Sequence, residues 1–410
     1  MKSKIYYGWY IVAACLVLTI LDGMLLYSFG IFQPYINDDF GLSRAAGSSI
    51  FSLRSFVLAF SLAISGRLVD KYDPRAVIFI GGVIAALGIF LTGLATKTWE
   101  LYLYYGFLVG LGDGVLYITC VTVISRWFVK KRALVIGIVT AGVPISGLIT
   151  NPLTAWLIGA FGSKNALLAL SLIIVIALLS SFVLRGYPQE KNLRAYGDDI
   201  NEEDNKKLSE SDWKSREAIT TPTFGYMYLM YFLGFTTFLI VVIHLFNFAI
   251  DQGISPLVAS GAPAAIGVGS IMGRIVLSGL LTEVIDNRRV LFICYFTQGC
   301  SILILLFIRE TWAFYLFGLL FGFFYSGWVP IFPILLGKFF GLSALGAIYG
   351  VFGTSFSIAA ISGPWLAGYT FDVFGSYEIP FIIAIIFCIL AAIMSFFIKT
   401  PIKKSNIITA

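Results

Sequence analysis

The segment GRLVDKYDPR, Gly66 to Arg75, returns 213 positions later in altered form as GLLTEVIDNR, Gly279 to Arg288. Each copy opens on Gly, carries an acid four residues on (Asp70, Glu283) and closes on Arg nine residues on (Arg75, Arg288). Each also separates two long apolar runs. A second echo pairs Arg126-Trp127-Phe128 with Lys338-Phe339-Phe340. The second half of the chain therefore repeats the plan of the first.

Outward from these two segments the chain is apolar almost throughout. Of 410 residues, 59% are hydrophobic and 12% charged, against roughly 25% charged in an ordinary soluble domain. Mean hydropathy is +0.91. No soluble core of this size hides so much apolar surface, so lipid must be the solvent for most of it. A span needs roughly 20 apolar residues to cross about 30 Å of hydrocarbon. Twelve runs meet that length: 9–32, 46–68, 76–96, 100–125, 133–157, 166–185, 223–250, 257–281, 289–308, 311–337, 345–370 and 377–398. They are continuously apolar rather than alternating, so they read as helices and not as strands of a barrel. The first run is too long for a cleavable signal's apolar core. The expected fold is all-α: twelve transmembrane helices in two six-helix, pseudo-symmetric halves.

Segment 186–221 is the one polar break, with Pro188, Gly197, nine Asp/Glu and, counting Arg185, seven Lys/Arg. It divides the chain into an N-terminal bundle (1–185), a linker (186–221) and a C-terminal bundle (222–410). With both termini placed in the cytoplasm, 22 of the 28 Lys/Arg fall on cytoplasmic segments. Only Arg44, Lys97, Lys164 and Arg309 fall on outer loops. The positive-inside rule thus predicts a multi-pass protein of the cell (inner) membrane with cytoplasmic termini. It also accounts for the net charge of +6 without nucleic acid, which would need a clustered basic face on a soluble surface. Cys15, Cys120, Cys294, Cys300 and Cys388 all lie in apolar runs without ligand spacing and read as small hydrophobes. The chain has one His, which argues against a His-based metal site or catalytic triad.

GRLVDKYDPR resembles the loop signature of the major facilitator superfamily, G-x-L-x-D-[RK]-x-G-[RK]-[RK]. Asp73 stands where the second Gly is usual and Pro74 where a basic residue is usual, while Arg75 keeps the last position. The resemblance covers the whole chain and implies the major facilitator fold. Three segments are more specific. YYGWYIV (Tyr6–Val12), IHLFNFAIDQGIS (Ile243–Ser255) and VGSIMGRIVLSG (Val268–Gly279) are similar to helix 1, helix 7 and helix 8 of the monocarboxylate transporters and the related oxalate/formate antiporters. Parallel repeats are a standard transporter construction, whereas a channel or membrane enzyme would not require them.

Charges at membrane depth are costly and read as functional. Asp22, Arg54, Asp113, His244 and Arg274 qualify. Arg274 has no acid on its own helix face at Ser270, Leu277 or Ser278; its planar fork suits one carboxylate. The resemblance makes it the substrate carboxylate anchor; the bland alternative is a structural pair with Asp22 or Asp113. Desolvation fits both acids for proton coupling, with Asp22 preferred. Arg54 is either an ion-pair partner or a second anchor, and the glycines flanking Asp113 favour Asp113 as that partner. His244 would hydrogen-bond the substrate or sense protons, or else be structural. Tyr117 and Tyr325 stand on helices 4 and 10, which with 1 and 7 line the cavity in the superfamily. Asp70, Arg75, Glu283 and Arg288 are expected to form a cytoplasmic gate.

These features predict a secondary transporter that moves a lactate- or pyruvate-like monocarboxylate with a proton. An antiporter exchanging dicarboxylate and monocarboxylate is the alternative. Its relatives use a Lys in helix 11, and 345–370 holds no Lys, Arg or His. The expected partners are a small organic anion, protons and the bilayer, with the chain acting as a monomer. No cofactor, metal or enzymatic activity is expected, because no phosphate-binding loop or triad is present.

Overall fold

The computed structural model describes residues 6–197, 213–307, 310–341 and 345–401. Within these ranges the elements are helices, apart from one isolated bridge between Phe128 and Tyr196. The N-terminal half holds α1 (Gly8–Phe40), α2 (Arg44–Lys71), α3 (Pro74–Leu94), α4 (Thr98–Trp127), α5 (132–161) and α6 (163–183). The C-terminal half holds α7 (Pro222–Asp251), α8 (Pro256–Leu277), α9 (Asn287–Phe307), α10 (Thr311–Phe340), α11 (Leu345–Phe374) and α12 (Glu378–Phe397). The α5–α6 break is at Gly162, whose φ of 79° is open to Gly at little steric cost.

Helix starts follow ordinary capping chemistry. Ser43 accepts from the Ala46 N–H to open α2, and Thr221 accepts from Phe224 ahead of Pro222 in α7. Asp73 caps α3, with Pro74 in its first turn. Asp73 also holds Arg75 at 2.5 Å, and Asp286, at the matching repeat position, accepts the Arg288 N–H at 3.0 Å and pairs with its guanidinium at 3.5 Å. Among the described side chains, the acids that pair with Arg75 and Arg288 are those two residues before them, because an N-cap carboxylate already sits within reach of that side chain. The side chains of Asp70 and Glu283 lie outside what is described.

The halves meet along three helix pairs: α1 with α7, α2 with α11 and α5 with α8. Two of the contacts between halves depend on a missing side chain. A Cβ on Gly267 of α8 would stand 2.6 Å from the Pro144 carbonyl of α5, and one on Gly368 of α11 would stand 2.6 Å from the Arg44 carbonyl of α2. Small residues let helix backbones approach this closely. The two described ends of the linker dock on the two copies of the second sequence echo. Tyr196 exchanges backbone hydrogen bonds with Trp127 and Val129, and the Trp213 N–H donates to the Phe340 carbonyl at 3.2 Å.

Candidate functional site: a central chamber beneath a closed gate

At the end away from the linker, the halves are bolted together by polar contacts. Arg44, at the start of α2, pairs with Asp251 of α7 at 2.7 Å and donates to the Tyr377 hydroxyl at 2.5 Å. The backbone N–H groups of Arg44 and Ala45 donate to the two oxygens of Asp372 at 2.9 and 2.8 Å. Asp372 thus neutralises the positive end of α2 from across the interface. Just inside, the Asn247 amide donates to Gln33 at 2.8 Å, and the Ser52 hydroxyl donates to the Ile361 carbonyl at 2.6 Å.

His244 belongs to this bolt. Its Nε2 lies 3.0 Å from the Pro364 carbonyl and 3.2 Å from Ser48 Oγ, and its Nδ1 lies 3.2 Å from the Tyr377 hydroxyl. A carbonyl can only accept, so Nε2 carries a proton and donates to Pro364. Phe238, six residues earlier on α7, faces the chamber, roughly 9 Å away at 1.5 Å per residue. The structure therefore separates His244 from the chamber in which the other expected substrate ligands lie.

That chamber forms around Arg274, where α8 widens into π-helical turns from Arg274 to Leu281. Such turns are frequent at functional sites. The guanidinium is in electrostatic contact with Tyr27 of α1, Tyr117 of α4 and Tyr325 of α10, drawn from both halves, and reaches the Thr140 carbonyl of α5 at 3.4 Å. Tyr325 stacks on Phe238 with centroids 3.9 Å apart. Tyr117 is also in electrostatic contact with Tyr349 of α11 and with Asp22 of α1. Tyr349, near the linker end of α11, is 39% exposed.

The intramembrane acids form a second group, wholly within the N-terminal half. Arg54 Nη2 donates to Asp113 Oδ2, and both side chains are 2% exposed. The α4 backbone comes close enough for this through glycines: a Cβ on Gly110 would stand 2.5 Å from the Arg54 carbonyl. Asp22 lies beside the pair, in electrostatic contact with Asp113 and Arg54, and is itself only half-buried. It stands between the chamber and the sealed pair. No ion pair joins Arg274 to either acid among the described residues, and Tyr117 is electrostatically coupled to both Arg274 and Asp22. Sequence reasoning missed Tyr27, Tyr349 and the Arg44–Asp372 bolt. Nothing in the order of residues marks which of 21 Tyr face one point.

A family profile described as Major Facilitator Superfamily matches residues 15–281 and 269–409. The chain belongs to that superfamily. It is 26% identical to monocarboxylate transporter 12 of Rattus norvegicus over 426 aligned positions, covering 96% of this chain and 85% of the relative. It is 25% identical to monocarboxylate transporter 13 of the same organism, covering 92% and 86%. Among solved structures it resembles a bacterial homologue of the human lysosomal transporter Spinster in an inward-facing, unoccupied conformation. That match has a TM-score of 0.74 at 13% identity and covers 97% of this chain and 98% of the other. This major facilitator protein is thus a multi-pass membrane transporter related to the monocarboxylate transporters, not an enzyme.

Proposed function

We propose that the transporter carries a monocarboxylate together with a proton by alternating access. The observation that supports this best is the placement of Arg274. One guanidinium, with its fork suited to a single carboxylate, faces tyrosine hydroxyls from both halves. A substrate bridging Arg274 and Tyr325 on one side to Tyr27 and Tyr117 on the other draws the halves together, which is what rocking requires. Asp22 carries the proton: it is half-buried and electrostatically coupled to Tyr117, whereas Asp113 is held by Arg54. Exchange of a dicarboxylate needs a second cation, and Arg54 is already engaged. With the termini in the cytoplasm of a cell membrane, the closed gate is external and this state faces inward. Asp70 and Glu283 then serve the opposite, cytoplasmic closure, and the carrier works as a monomer.

The test is uptake of labelled monocarboxylates into proteoliposomes with and without an imposed pH gradient. Stimulation by an inward proton gradient is expected. Uptake indifferent to the gradient overturns symport, and exchange confined to dicarboxylates overturns the substrate class.

A further inference from the structure

We propose that the carried acid is an aromatic monocarboxylate, whose ring enters a slot on α11 while its carboxylate sits on Arg274. This rests on the reading of Arg274 as the carboxylate site and names what lies beyond it.

The slot follows from spacing. Tyr349, Gly353 and Phe356 stand four and three residues apart, so they share one face of α11. A Cβ built on Gly353 meets nothing within 4 Å. The result is a recess with a glycine floor between two rings. Tyr349 is exposed and Phe356 half-buried, so both rings keep accessible surface beside the glycine. Behind them the wall is also aromatic. Phe235 of α7 packs edge-on against Phe356 at 4.8 Å and against Tyr325 at 5.9 Å.

The slot also lies at the right reach. Tyr117 feels the charge of Arg274 and is electrostatically coupled to Tyr349 as well. Tyr325 feels the charge of Arg274 and packs on Phe235, which packs in turn on Phe356. The rings that feel the Arg274 charge are thus linked to the rings that border the recess. A three-carbon acid on Arg274 would leave the recess and its ring edges in water. An aryl group fills it and makes the edge-to-face and offset contacts that aromatic rings prefer.

The experiment is counterflow in proteoliposomes of the full chain, with labelled phenylacetate, cyclohexylacetate and pyruvate compared. Phenylacetate should exchange about tenfold faster than pyruvate at equal subsaturating concentration, and severalfold faster than cyclohexylacetate. Gly353→Leu, which fills the recess on an otherwise regular helix, should lower the phenylacetate-to-pyruvate ratio about tenfold. Phe356→Leu should erase the margin over cyclohexylacetate. Size-exclusion profiles in detergent confirm that each variant is folded. Pyruvate favoured over phenylacetate overturns the aromatic class alone and leaves the carboxylate reading standing. Cyclohexylacetate exchanged as fast as phenylacetate does the same, by reducing the slot to apolar volume. Exchange of none of the three overturns both readings.

Discussion

Arg54 of α2 and Asp113 of α4 form an ion pair closed off from the chamber, while Asp22 stands beside it on the accessible side. Breaking a buried pair by removing one charge leaves the other uncompensated, at about 3–5 kcal/mol. Arg54 Nε already lacks a hydrogen-bond partner among the described residues, so it has nothing to turn to. Asp113→Asn should therefore lower the thermal stability of the detergent-purified protein by several degrees. An unchanged melting temperature would mean the pair contributes little to the fold.

Asp22→Asn should leave that stability nearly intact and separate proton from substrate. Counterflow, which needs only exchange of loaded carriers, should persist. Uptake driven by a pH gradient should fall by at least about tenfold. If both assays survive, or if Asp113→Asn shows this phenotype instead, the proton site has been placed on the wrong acid.

Arg274→Lys keeps the charge and loses the fork. Substrate affinity measured by equilibrium binding should weaken by about tenfold or more, with expression and melting behaviour close to the parent protein. Near-normal uptake by Arg274→Ala would remove Arg274 from the site altogether.

The bolt between Arg44 and Asp251 is partly exposed, with the two side chains at 21% and 33%. A pair of that kind contributes about 1 kcal/mol or less, enough to shift a two-state carrier roughly fivefold. Asp251→Asn should enrich the conformation open at the Arg44 end. A cysteine placed at Ser52 and labelled from each face of the membrane reports the change. Equal labelling in parent and variant contradicts a gating role.

Asp73 caps α3 and holds Arg75. The hydrogen bond from that guanidinium holds its carboxyl below the usual carboxylate range. Its stabilisation is accordingly complete above the ordinary Asp value of about 3.9 and disappears as pH falls through the lower folded value. Asp73→Ala should cost about 1 kcal/mol, as lost caps generally do. The difference in melting temperature between parent and variant should shrink toward pH 3. A difference that grows on acidification refutes the assignment.

The sequence carried the outline of the site but not its grouping. Arg274, Tyr117, Tyr325, Asp22, Asp113 and Arg54 were legible because a charge or polar ring at membrane depth is conspicuous against apolar neighbours. His244 was equally conspicuous and lies elsewhere, since depth along a helix does not say which polar groups from other helices share that level. Asp70, Arg75, Glu283 and Arg288 were marked by their repeated spacing as a cytoplasmic gate, but spacing does not say which carboxylate each Arg meets. The structure pairs each Arg with the helix-capping acid two residues before it, an effect of local turn geometry.

What the order of residues determined by itself was the number of helices, their division into two related halves and the membrane as solvent. Those follow from run length, repetition and the cost of placing unpaired backbone and charge in hydrocarbon, and each can be read along one line of chain. The tertiary structure decided which charges neutralise one another, which end of the bundle is shut and which rings surround Arg274. Such contacts join residues as far apart as Arg44 and Asp372, and they depend on which face each helix turns inward. In a chain apolar on nearly every face, the hydrophobic pattern does not specify that face. It is set by close backbone contacts such as Gly267 on Pro144 and Gly368 on Arg44.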